Sequence, residues 1–417
     1  MYFKQTFRSL QSRNYALFFS GQSISLIGTW TQRIATAWLV YRLTNSAWLL
    51  GVAGFASQLP TFLLSPYAGV ITDRMDRYKV LMVTQILAMI QATILCTLFY
   101  MQVIQVWQII ILGISLGLIN AFDVPARQSL VVKMVDDKND LGNAIALNSS
   151  MVNAARLIGP SVAGILIASF GEGICFLINA ISYLFVLTTL SFIQIKPEKI
   201  VLSGKNILHE FKEGFYYTFR NVPMRTLILL LAMVSLVGLP YTVLMPIFSG
   251  KILHGSSHTF GFLMAATGIG ALAGSLYMAS LKSVIGLEKL IPVSTIIFGS
   301  GIVLFAFSRN IYLSMFILLF VGLGMIFQMA ATNTIIQTIV EENKRGRVLS
   351  FYTMAFMGTA PFGSILAGWS ANAVGAPNTF IIGGLLCIVS AGLYFIKLPE
   401  IERLLQIAYN EKAHSKK

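Results

Sequence analysis

The sequence predicts an all-α membrane protein of twelve transmembrane helices, organised as two six-helix bundles with pseudo-two-fold symmetry. Three observations carry this. Composition is the first: 56% of the 417 residues are hydrophobic and 11% are charged, against about 25% charged in an ordinary soluble domain. So few charges cannot cover a water-exposed surface. The second is the division of the chain into twelve apolar runs, and the third is a single long polar segment that leaves six runs on either side.

A helix needs about 20 mainly apolar residues to cross the hydrocarbon core. Runs of that length fall at 15–41, 47–71, 79–100, 106–130, 143–169, 173–195, 225–250, 259–281, 288–308, 311–338, 348–371 and 377–397. The basic N-terminal segment leads into an apolar run with no small-residue cleavage site, so it reads as a first span and not as a removed signal peptide. Cys96, Cys175 and Cys387 each lie in an apolar run without metal-ligand spacing and read as small hydrophobes. No metal or cofactor site is expected.

The net charge of +14 raises the question of nucleic acid, and the location of the basic residues answers it. The N-terminus, the even-numbered loops and the C-terminus together hold 25 of the 30 Lys and Arg. Arg42, Lys251 and Arg309 lie on the opposite side, and Arg33 and Arg156 lie inside spans. By the positive-inside rule both termini are expected in the cytoplasm. Charges spread over seven short segments do not make a nucleic-acid groove.

Segment 196–224 is the long loop. Within it Leu208, Phe211, Phe215 and Phe219 recur at helical spacing with Glu210, Lys212 and Glu213 on other faces, which suggests an amphipathic helix on the membrane surface. The expected organisation is a first half at 1–195, this linker at 196–224, a second half at 225–397 and a cytoplasmic tail at 398–417. An internal repeat supports it: VDDKND at 135–140 parallels VEENKR at 340–345, and GPSVAG at 159–164 parallels GSILAG at 363–368, both at offsets close to 205 residues.

After the second span the chain reads GVITDRMDRYK over 69–79, which resembles the loop 2–3 signature of the major facilitator superfamily, G-x-x-x-D-R-x-G-R-R/K. Asp76 stands where that signature has glycine, and Tyr78 replaces one basic residue. The resemblance implies a gate latch formed by Gly69, Asp73, Arg74 and Arg77, with Arg127 at the end of span 4 as the natural partner of Asp73. It also implies two halves around a central cavity and a monomeric transporter.

The stretches NAFDVPARQ at 120–128, Leu147-Asn148-Ser149, Arg156 to Pro160, and the opening from Gly21 to Ser46 resemble the branch that contains enterobactin-type siderophore exporters. Gly159, Pro160 and Gly164 are similar to the antiporter signature G-P-x-x-G-G, with Ala146 and Ala155 replacing its upstream glycines. Small residues and a proline allow close packing and a bend, which an exporter helix or a generic packing site would use equally.

Polar residues inside spans are the candidate substrate contacts. In span 1, Gln22, Ser25, Thr29, Gln32, Arg33 and Thr36 form a stripe expected to face a wet cavity; in span 5, Asn148, Ser149, Asn153 and Arg156 do likewise, and span 10 adds Gln328, Thr332 and Asn333. Arg156 lies about 13 residues into its span, roughly 20 Å deep. Arg33, nearer the periplasmic end, reads as a ligand contact, a snorkelling side chain or half of a structural ion pair. Asp123 is the only acidic residue read inside a span, so it is the candidate proton carrier or the partner of Arg127. Two arginines without midplane carboxylates favour an anionic small-molecule substrate.

With no nucleophile–base pair, no metal cluster and no GxxxxGK[ST] motif, an enzyme and an ATP-driven pump are both disfavoured. The expectation is a secondary transporter in the bacterial inner membrane, exporting a small anionic or amphipathic molecule such as a siderophore and using the proton gradient. Import of such a compound, multidrug efflux and lysophospholipid translocation are the alternatives.

Overall fold

Short polar residues start the helices, and left-handed residues end several of them. Ser46 accepts from the Leu49 amide, Asp76 from Tyr78 and Lys79, Asn221 from Met224, and Asn310 from Tyr312 and Leu313. Asn45 at φ 54° and Gly171, Gly286 and Gly375 at φ 81°, 94° and 86° supply turns between helices. The computed structural model describes residues 8–137, 140–194, 207–281, 283–341 and 344–414. Among them the first half carries α1 (Arg13–Thr44), α2 (Ala47–Asp73), α3 (Arg77–Tyr100), α4 (Val106–Met134), α5 (Leu141–Phe170) and α6 (Glu172–Ser191). Then come α7 (Ile207–Arg220), α8 (Val222–Ile252), α9 (Ser257–Ser280), α10 (Leu287–Phe307), α11 (Ile311–Ile339), α12 (Arg345–Val374) and α13 (Ala376–His414).

Eleven of these described helices, α2 to α6 and α8 to α13, are long and apolar enough to cross a bilayer. The first, α1, has 32 residues, and its polar stripe is what lowers its hydropathy. Leu63, Ile111, Phe316 and Leu393 are each more than half exposed on their helices, an arrangement suited to lipid.

By contact the chain forms two units, Met1–Ser203 with His254–Ala265, and Gly204–Leu253 with Ala266–Lys417. In the first, α1 packs on α5 and α6, α2 on α4, and α3 on α4 and α6. Tyr15, Phe18, Leu81, Leu130 and Leu190 are fully buried there. Inside it a chain of amides ties four helices together. Asn179 Nδ2 donates to Gln32 Oε1 at 2.8 Å, Gln32 Nε2 to Gln91 Oε1 at 3.1 Å, and Gln91 Nε2 to the Leu112 carbonyl at 3.3 Å. Each such bond contributes roughly 0.6 kcal/mol in a membrane bundle.

In the second unit α10 packs on α11 and α13, and Phe248, Phe305 and Phe380 form an aromatic cluster with centroids 4.3–5.7 Å apart. Two of its helices are interrupted by π-type turns, Val234–Gly238 and Phe248–Ile252 in α8 and Met354–Gly358 in α12. Ser235 at one of these turns donates to the Phe356 carbonyl at another, 2.5 Å away. The amphipathic α7 lies against α12. Arg347 donates to Glu213 at 2.7 Å, Phe215 and Phe219 contact Phe351, and the Lys344 ammonium sits 4.3 Å from the Tyr217 ring centre. Burial there pushes the Tyr217 hydroxyl above its ordinary pKa. The helix α13 continues past Pro399 through the segment read as a tail, and Glu402 pairs with Lys289 at 3.5 Å.

Candidate functional site

Trp30 and Arg33 are three residues apart on α1 and therefore share a face. Arg156 stands near the middle of α5, which packs on that helix. The Arg33 guanidinium carbon lies 5.1 Å from the Trp30 ring centre and that of Arg156 lies 5.5 Å from the same centre. Two cations thus meet on one indole, whose electron-rich face attracts both. Gly159 makes the approach possible, because a methyl group at that position would overlap Trp30 Cβ.

Arg33 is exposed and Arg156 is half-buried, with its Nε lacking a hydrogen-bond partner among the described residues. Neither arginine forms an ion pair among those residues. Asn148 lies two turns before Arg156 on α5, and its Oδ1 is also buried without a partner. A guanidinium stays ionised, so this face of α1 and α5 presents uncompensated positive charge, free donors and an aromatic plane. It can bind an anion, and among the described residues no nucleophile or general base is in place to transform one.

Four other residues of the α1 stripe do not join this surface. Gln22, Ser25 and Gln32 are buried inside the six-helix bundle, with Gln32 in the amide chain. Thr29 Oγ1 is 3.4 Å from the Tyr183 hydroxyl. The single wet stripe expected for α1 therefore divides, because α3 and α6 offer hydrogen-bond partners to one edge of it. Asn153 is on α5 with its side chain outside the described set. In the second unit, Gln328 and Thr332 of α11 are buried, and neither amide atom of Gln328 nor the Thr332 hydroxyl has a partner among the described residues.

Asp123 in α4 is buried and surrounded by donors. Thr84 Oγ1 is 3.0 Å and Gln85 Nε2 2.6 Å from its Oδ1, and Arg127 Nε is 3.5 Å from its Oδ2. Of the two partners named for Arg127, the structure shows Asp123; the side chains of Asp73 and Gly69 lie outside the described set. Arg74 is exposed at the end of α2 and Arg77 opens α3. Asp76, the departure from the signature's glycine, caps α3. In α5, Gly164 faces Gly261 of α9 so closely that a methyl on either would strike the other's backbone.

Three features were not legible in the sequence. Trp30 carries no signal in an apolar run except its i, i−3 relation to Arg33. Glu172, read as a loop residue, is buried in the first turn of α6 and pairs with Arg42 at 2.7 Å. Glu288, at the expected edge of a span, is likewise buried at the start of α10.

Known proteins share this frame. Over 398 residues the chain is 27% identical to the staphyloferrin A transporter of Staphylococcus aureus, spanning 95% of this chain and 98% of that protein. It is 21% identical to macrolide efflux protein A of Streptococcus pyogenes, spanning 89% and 93% of the two chains. Its identity to the multidrug efflux pump Tap of Mycolicibacterium fortuitum is 24%, spanning 89% and 92%. The fold matches that of a bacterial homolog to the human lysosomal transporter Spinster, with a TM-score of 0.72 at 13% identity over 95% of this chain and 98% of that one. The transmembrane secretion effector family matches residues 4–416, so the chain belongs to that family and is a multi-pass secondary transporter of the major facilitator type.

Proposed function

We propose that this transporter exports a small anionic metabolite of the siderophore kind across the bacterial inner membrane, with both termini in the cytoplasm. One observation carries the reading: Arg33 and Arg156 converge on Trp30 with no carboxylate paired to either among the described residues. Uncompensated guanidiniums at membrane depth are costly unless hydrated or occupied by an anion. Relatives named for staphyloferrin A transport and for macrolide and multidrug efflux support outward movement of small molecules. The paired cations favour the first of these chemistries over cationic drugs, which they would repel.

Coupling to the proton gradient is part of the proposal, with Asp123 as the carrier. Arg127, one turn further along α4, is its charged neighbour at 3.5 Å. The latch at Gly69, Asp73, Arg74 and Arg77 is proposed to hold one closed state. Asp73→Asn is then expected to slow transport while expression stays normal.

Comparing metabolites inside and outside a deletion strain, with and without iron, tests the export reading. An anionic compound should accumulate in the cells and fall in the medium, most under iron limitation. Identical media from both strains would refute it. A protonophore that left efflux unaltered while a sodium gradient controlled it would remove the proton.

A further inference from the structure

We infer that the ligand of the Arg33–Trp30–Arg156 surface carries two acid groups, one for each guanidinium, joined by a segment that lies against the indole. This rests on the anion-export reading only in taking that surface as the substrate site. The first argument is charge balance. Both guanidiniums are permanently ionised, neither is paired among the described residues, and both lie within 5.5 Å of one ring centre. A monoanion bound there would leave one positive charge facing another, whereas a dianion neutralises both.

Geometry supplies the second argument. Because the two cations share a ring, a single small molecule reaches both, and each planar fork can take a carboxylate through two parallel hydrogen bonds. Arg156 Nε, buried and without a partner, is a donor of the kind such a fork–fork contact uses. Position in the fold supplies the third. The arginines come from different helices, α1 and α5, and Gly159 fixes the distance between them through Trp30. The spacing is therefore set by backbone packing, which lets the site select the separation of the two acid groups.

The test uses the purified full-length chain in detergent and a ladder of α,ω-dicarboxylates from succinate to suberate, each with its half-amide and diamide. Binding is read by tryptophan fluorescence, with Trp30→Phe identifying the contribution of Trp30. One diacid should bind about tenfold or more tightly than its half-amide, the size expected for loss of one charge-assisted pair. That preference should shrink to within about twofold in Arg33→Gln and in Arg156→Gln, since each removes one charge. Arg33 is exposed, so its variant keeps the test valid if Arg156→Gln does not fold. Equal binding of diacid and half-amide, both above the diamide, would overturn this inference and leave a single-anion site intact. No binding by any acid of the ladder would overturn it together with the anion reading.

Discussion

Position 123 in α4 and position 328 in α11 are separated by the repeat offset of 205 residues, yet one is a carboxylate and the other an amide. Asp123 has donors on both oxygens, including Arg127; Gln328 has no partner among the described residues, and Thr332 occupies the position that corresponds to Arg127. One helical frame thus supports two solutions. A buried charge must recruit several donors to persist, and those of Asp123 tie α3 to α4 in the first bundle. A buried neutral amide costs only about 1–3 kcal/mol when unpaired, so the second bundle can keep one where packing alone would favour leucine. The first bundle adds a chain of buried amide bonds to its apolar core, and the second packs around the Phe248, Phe305 and Phe380 cluster.

This contrast is broken most directly at the charged position. Asp123→Ala should lower apparent stability by about 3–5 kcal/mol, because it strands Arg127 in the bundle. Gln328→Leu should change it by less than about 1 kcal/mol, or raise it. Thermal unfolding in detergent measures both, and equal losses would show that the two bundles are built alike. Adding Arg127→Gln to Asp123→Asn sharpens the point: the double variant should recover about 1–3 kcal/mol relative to additivity.

The glycines at repeat-related positions differ in the same way. A methyl at Gly159 meets the Trp30 side chain, whereas one at Gly363 meets the Leu236 carbonyl. Both Gly→Ala changes should cost about 1–3 kcal/mol through overpacking, but only Gly159→Ala should also weaken anion binding. Equal ligand affinity in the two variants would detach Gly159 from the site. The smallest effect belongs to Glu213→Gln on α7, a partly exposed pair with Arg347, where the loss should be about 0.2–1 kcal/mol and disappear in high salt.

Much of this was legible in the chain. Helices were readable because membrane spans need long apolar runs, and Arg33 and Arg156 stood out because charges inside such runs are rare. Their convergence was not readable, since it depends on how α1 and α5 pack, and Gly159 with Trp30 decides that. Gln32 illustrates the other limit: its partners Asn179 and Gln91 lie 147 and 59 residues away, so nothing local separates it from a cavity-facing residue. Glu172 looked like a loop residue because it opens a helix, and only the end of α1 shows that Arg42 covers it.

The central proposal is that Arg156 contacts the substrate. The decisive measurement is counterflow in proteoliposomes, using the metabolite identified from the deletion strain, with wild type, Arg156→Lys and Arg156→Gln prepared as monodisperse protein. Lysine keeps the charge and loses the fork, so transport should fall; glutamine loses both, so it should fall further, by about tenfold or more relative to wild type. Monodisperse Arg156→Gln protein that binds and moves the metabolite as wild type does would contradict the account.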